Sequence, residues 1–140
     1  MEPIEQNGKS VRFHFLVANP PGWLNAGIAA AASRCGATGL LNCEGIENST
    51  EIQRAVARLL RSKRGSVGIQ IETGSPVAAE FLPELAQALD YVVLTAGADE
   101  HAIRSVIASA GSGNCRVFVE ATSLDQAIEA VSAGASGLIA

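Results

Sequence analysis

Short β-branched or apolar runs alternate with stretches of helical period five times along this chain, and that alternation restricts the fold more than any other feature. Strands that alternate with helices build parallel βαβ units, because a parallel neighbour is reached only by a crossover over one face of the sheet. The first run is VRFHFLVA at residues 11–18, followed by the breaker-rich NPPGW at 19–23. An Ala-rich helix is expected at 25–35, with Gly36 as its C-cap. Residues 39–42 are a short apolar run that reads as a buried strand. Asn48 and Glu51 have capping-box spacing, and Ile52, Ala55, Val56, Leu59 and Leu60 then recur at helical intervals.

The second half repeats the pattern. A strand is expected at 66–71, then a helix capped by Ser75 with Pro76 at its first position, running to about residue 89. A strand at 91–95 precedes a helix from about Asp99, whose apolar stripe is Ile103, Val106 and Ile107. Residues 116–120 form the next strand. Ser123 and Gln126 make another capping box, and Leu124, Ala127, Ile128 and Val131 are expected to face inward. Residues 137–140 begin a sixth strand.

Alternation within the strands separates two faces. Phe13, Phe15 and Val17, then Val67, Ile69 and Ile71, then Val92 and Leu94, then Val117 and Val119 form a uniformly apolar face suited to lie under helices. The opposite face is mixed, with Arg12, His14, Gly68, Gln70, Arg116 and Glu120. A doubly wound sheet is covered on both faces and reads apolar throughout, whereas a β/α barrel has an interior that polar side chains can line. The expected fold class is therefore α/β: a partial (β/α) TIM-type barrel of about six parallel strands alternating with five helices. Residues 1–10 read as a flexible lead-in and 11–140 as one incomplete barrel domain. A flavodoxin-like receiver needs acidic residues at the end of its first strand, and Asn19-Pro20-Pro21 supplies none.

Composition excludes several functions. Net charge is −4 and aromatic content 4%, so neither a basic footprint nor a stacking platform for nucleic acid exists. No apolar run approaches the roughly 20 residues of a membrane span. Cys35, Cys43 and Cys115 show no zinc spacing, and three thiols fit a reducing compartment, so a cytoplasmic location is expected.

In a barrel the site lies at the C-terminal strand ends. Here those ends are Ala18-Asn19-Pro20, Asn42, Gln70, Thr95 and Glu120, with Trp23 in the first loop. Glu120 is the strongest functional candidate, set against a lumen ion pair with Arg12 or Arg116. His14 lies in mid-strand and reads as a packed interior side chain. His101, in the first turn of a helix, reads as surface. Cys43 lacks a basic partner and reads as inert. Gly-Ser-Gly at 111–113 leads from a helix into a strand, the wrong end for anion binding, and reads as a turn. Arg54, Arg58, Arg61, Lys63 and Arg64 read as a solvated helix face.

The segment ANPPGWLNAGIAAAASRCGATGLLN resembles the opening of the nitronate monooxygenase family, formerly the 2-nitropropane dioxygenases, and of the related flavin-dependent enoyl reductases. The family's G-G-x-G turn corresponds to Cys35-Gly36-Ala37-Thr38-Gly39, its GVN strand to Gly68-Ile69-Gln70, and its fifth strand and helix to residues 117–140. The resemblance spans residues 12–140 and also extends to segments of polyketide-synthase-like polypeptides. It implies a TIM barrel binding FMN, with Ala18, Asn19, Gln70 and Glu120 around the flavin. Gln70 departs from the family's usual Asn, and Glu120 from its Gln or Lys. The family's catalytic His and its phosphate-binding loops follow later strands, so no catalytic residue is assigned. The resemblance thus implies the N-terminal portion of an FMN-dependent oxidoreductase domain in a larger synthase-type protein, inactive alone. The expected partners are the remainder of that polypeptide or a second copy at the open barrel edges. The alternative is a non-catalytic docking module on a degenerate barrel.

Overall fold

The computed structural model describes residues 4–6, 9–11, 13–75, 77, 80–110 and 113–140. A two-stranded antiparallel hairpin, β1 (Ile4–Gln6) and β2 (Lys9–Val11), stands first in the chain. The remaining strands are β3 (Leu16–Ala18), β4 (Thr38–Asn42), β5 (Val67–Ile71), β6 (Tyr91–Leu94), β7 (Arg116–Glu120) and β8 (Gly137–Ile139). They form one six-stranded sheet whose spatial order is the chain order, and every pairing is parallel. With no strand inserted out of order, every right-handed crossover puts its helix on the same side, and the sheet curls away from them. The result is a partial TIM-type barrel, six strands of the eight that close one.

The helices are α1 (Ala26–Arg34), α2 (Ser49–Ser62), α3 (Leu82–Leu85), α4 (Glu100–Ala110) and α5 (Leu124–Ala133). Three caps fall where the sequence puts them. Asn48 accepts from the Glu51 N–H at 3.2 Å, Asp99 from Ala102 at 2.7 Å and Ser123 from Gln126 at 3.3 Å. Asn25 caps α1, and Gly36 leaves it with φ +84°. Pro76, expected to open the third helix, lies outside the described residues, as do Gly111 and Ser112 of the expected Gly-Ser-Gly turn.

The core is the layer between sheet and helices. Val67, Ile69, Ile71, Val92, Leu94, Val117 and Val119 are all at most 3% exposed, against Ile52, Leu59, Leu82 and Ile103. On the lumen side Leu40, Tyr91 and Val93 form a smaller cluster with Phe118 and Ile139. Gly39 permits a close approach of β4 and α1, because a Cβ there would strike the backbone of Ala29.

Several expectations fail, and the third helix, expected to run to about residue 89, ends at Leu85. The run at 11–18 is not one strand: Val11 belongs to the hairpin, residues 13–15 have no regular structure, and β3 starts at Leu16. Among the described residues its one neighbour in the sheet is β4, which begins at Thr38, whose N–H bonds the Phe15 carbonyl at 2.8 Å, so the β3–β4 ladder does not reach residues 13–15. Phe13 and Phe15 are accordingly 54% and 59% exposed rather than covered by helices. In α5 the small residues Ala130 and Ala133 face the sheet, while Leu124, Ile128 and Val131 face outward. That helix carries two apolar stripes, and the one built of small residues is the one buried in the core.

Candidate functional site

The C-terminal ends of β3 to β7 and the loops leaving them form one mouth. Its geometry begins with Asn19, which is 2% exposed and saturated with hydrogen bonds. Its Nδ2 donates to the carbonyls of Trp23 at 2.8 Å, Asn42 at 2.9 Å and Pro20 at 3.2 Å, and its Oδ1 accepts from the Asn42 N–H at 2.8 Å. Asn19 therefore ties the end of β3 to the end of β4 and folds the first loop, with exposed Trp23, beside the mouth. The Gly22 N–H reaches the Glu44 carbonyl at 2.9 Å, and Gly45, at φ +72°, turns the second loop back.

Asn42 and Gln70 are register partners across β4 and β5, so their side chains stand side by side on the lumen face. Both are more than nine-tenths buried. The Asn42 Oδ1 accepts from the Glu44 N–H at 2.9 Å. Gln70 Nε2 donates to the carboxylates of Glu120 at 3.0 Å and Glu44 at 3.3 Å. A carboxylate of the mouth thus sits on either side of one amide, and both are half-buried.

Of the four residues that the resemblance assigned to a cofactor, Gln70 and Glu120 meet directly. Ala18 ends β3, exposed. The Asn19 side chain is consumed within the fold. Glu44 was missed by sequence reading. It lies two residues beyond its strand, where period-2 alternation no longer applies, and only the turn at Gly45 brings it back. Glu120 meets Gln70 rather than Arg116, whose guanidinium lies 4.8 Å from the Tyr91 ring centre and donates to the Tyr91 hydroxyl at 2.8 Å. Arg12 lies outside the described residues.

The opposite end of the lumen holds a cavity of about 240 Å³ lined by His14, Leu16, Tyr91, Arg116, Phe118 and Ile139, among others. His14 is exposed at its edge rather than packed inside. His101 is exposed in the first turn of α4. Burial pushes the Cys43 thiol up to about 12, and burial with the Asp90 carboxylate pushes Cys115 up to about 11, so neither offers a thiolate near neutrality. Among the described residues no group of His, Cys, Asp and Glu is placed to hold a metal ion, and no helix is long and apolar enough to cross a membrane.

The mouth fits one part of FMN and not another. Two amides edge-on suit the uncharged ring. The strand-end residues include no Lys or Arg, so they offer a phosphate no cationic partner.

No family model and no curated protein matches this chain. Among solved structures, FabK from Thermotoga maritima superposes with a TM-score of 0.72 at 22% identity, covering 91% of this chain and 40% of its own. A point mutant of that protein superposes with a TM-score of 0.71 at 21% identity, covering 91% and 42%. The chain thus spans about two fifths of the length of the solved chains it matches. At this level of identity the likeness is one of fold: over nine-tenths of its length, this chain is folded like part of FabK.

Proposed function

We propose that this chain is the N-terminal portion of an FMN-dependent oxidoreductase barrel of the nitronate monooxygenase and enoyl reductase type, belonging to a larger synthase-type polypeptide and inactive alone. The observation that carries the reading is the meeting of Gln70 and Glu120 at the C-terminal mouth, where barrel enzymes do chemistry. The shared fold with FabK and the resemblance of residues 12–140 support it. When bound, the flavin would supply acceptance and return of electrons for a substrate C–H bond or an enoyl double bond.

The chain's own contribution is binding and orientation. Asn19 fixes the first loop against β4. Asn42 and Gln70 present amide groups to a flat ring edge. Glu44 and Glu120 hold the Gln70 amide and oppose extra negative charge on anything bound there.

A fluorescence titration with FMN tests the proposal. Weak quenching, with Kd on the order of 0.1–1 mM, is expected and should be lost in Gln70→Leu. Flavin retained at near-equimolar occupancy through desalting would show that the phosphate site lies within this chain after all. Absence of any quenching would favour the second reading, a docking module. That reading draws on the paired carboxylates and on the outward apolar faces of β3 and α5.

A further inference from the structure

The two end strands of the sheet, β3 and β8, carry apolar side chains of opposite shape on the same side. In β3, Val17 is the register partner of Gly39, which abuts the α1 backbone, so Val17 lies on the helix side. In β8, Leu138 is the register partner of Val119, which is buried in the layer under the helices, so Leu138 lies on that side too. Leu138 and the outward stripe of α5 enclose a shallow concavity of about 310 Å³, lined by Leu124, Ala127, Ile128, Val131, Ser132 and Leu138. At the β3 end the exposed apolar groups protrude instead: Phe13 and Phe15 precede Val17 in the chain and are each more than half exposed. Charge is complementary as well. Residues 7–37 contain Lys9, Arg12 and Arg34 and no Asp or Glu, whereas residues 121–140 contain Asp125 and Glu129 and no Lys or Arg. Like edges brought together would set Phe against Phe, leave the concavity empty and oppose like charges, whereas unlike edges fill it and pair opposite charges.

We infer that this chain associates with itself head to tail: the β3 edge of one copy extends the sheet beyond β8 of the next, and its Phe13 and Phe15 enter the concavity between α5 and Leu138. From the exposures of its side chains, each edge has about 400 Å² of apolar surface to bury, close to the non-polar share of a standard interface of roughly 800 Å² per partner. The contact joins unlike surfaces, so it propagates as an open row or closes as a ring. It is independent of what the mouth binds.

Two double variants of the full chain test the polarity by sedimentation equilibrium. Phe13→Gln with Phe15→Gln removes the protrusions, and Leu124→Lys with Val131→Lys blocks the concavity; all four residues are exposed. The natural chain should associate with Kd on the order of 10 µM, and each double variant alone about tenfold or more weakly. Mixed in equal amounts, the two should form a one-to-one complex of natural affinity that grows no further, because each supplies the intact edge that the other lacks. A variant that still dimerises alone, or a mixture that forms no complex, would overturn the inference. So would a natural chain that is monomeric at every concentration, which would leave the two edges to a partner of another sequence. Photo-crosslinking needs neither variant. With Phe15 replaced by p-benzoylphenylalanine, which keeps an aromatic ring at that position, adducts to an isotope-labelled second copy should map to residues 121–140. Adducts at residues 13–17 of the second copy would show like edges meeting and overturn the inference.

Discussion

At the scale of single residues, the mouth is organised by Asn19 rather than by the residues exposed in it. Asn19→Ala would strand the N–H and carbonyl of Asn42 in a buried position, and leaving such groups unpaired costs about 1–3 kcal/mol. A loss of about 3 kcal/mol in a urea denaturation experiment is expected, with FMN quenching weakened in parallel because the first loop is released. Cys43 gives a second prediction. Its folded value of about 12 lies above the reference value of 9.0, so burial of the neutral thiol stabilises fully below pH 9. That contribution is lost as pH rises from 9 towards 12, because the unfolded chain ionises first. Stability of the natural chain should therefore fall more steeply above pH 9 than that of Cys43→Ala, by up to about 1.4 kcal/mol per pH unit. Urea midpoints measured between pH 8 and 10 check this, and parallel slopes would contradict it.

At the scale of elements, the alternating pattern was legible almost to the residue where local rules decide. Helix α1 is expected at 25–35 and found at Ala26–Arg34, and β7 occupies the expected 116–120. Pattern fails where an outcome depends on a neighbour. The apolar run through Phe13 and Phe15 stays unpaired because β4 does not extend that far. In α5 either apolar stripe satisfies a helical period, and the structure buries Ala130 and Ala133 while leaving Ile128 exposed. The site divides the same way: Gln70 and Glu120 follow from alternation along straight strands, whereas Glu44 depends on a turn. Close approach also gives an element-scale prediction. Gly39→Ala drives a methyl group into the α1 backbone and should cost about 3 kcal/mol. Gly36→Ala, at φ +84° with open space around it, should cost only about 1–2 kcal/mol. Thermal melts of the two variants separate crowding from backbone strain.

At the scale of the whole molecule, the sheet has two edges, β3 and β8, and each lies beside exposed apolar side chains. Phe13, Phe15 and Val17 flank the first, and Leu124, Ile128, Val131 and Leu138 the second. Covering a few hundred Å² of such surface is worth several kcal/mol at about 25 cal/mol per Å², comparable with the stability of a small domain. The chain alone is therefore expected to self-associate, and sedimentation velocity across a dilution series should show a concentration-dependent coefficient. Leu124→Lys combined with Val131→Lys should restore a monomer, and a natural chain that sediments as a monomer at every concentration would contradict the expectation. The chain-ordered sheet has a different consequence, in time rather than space. Every rung joins residues only 19 to 28 positions apart. Low separation favours rapid folding, because each loop closes at small entropic cost before the next begins. Each βα unit can thus dock onto its predecessor as it leaves the ribosome, and none must wait for a strand made much later.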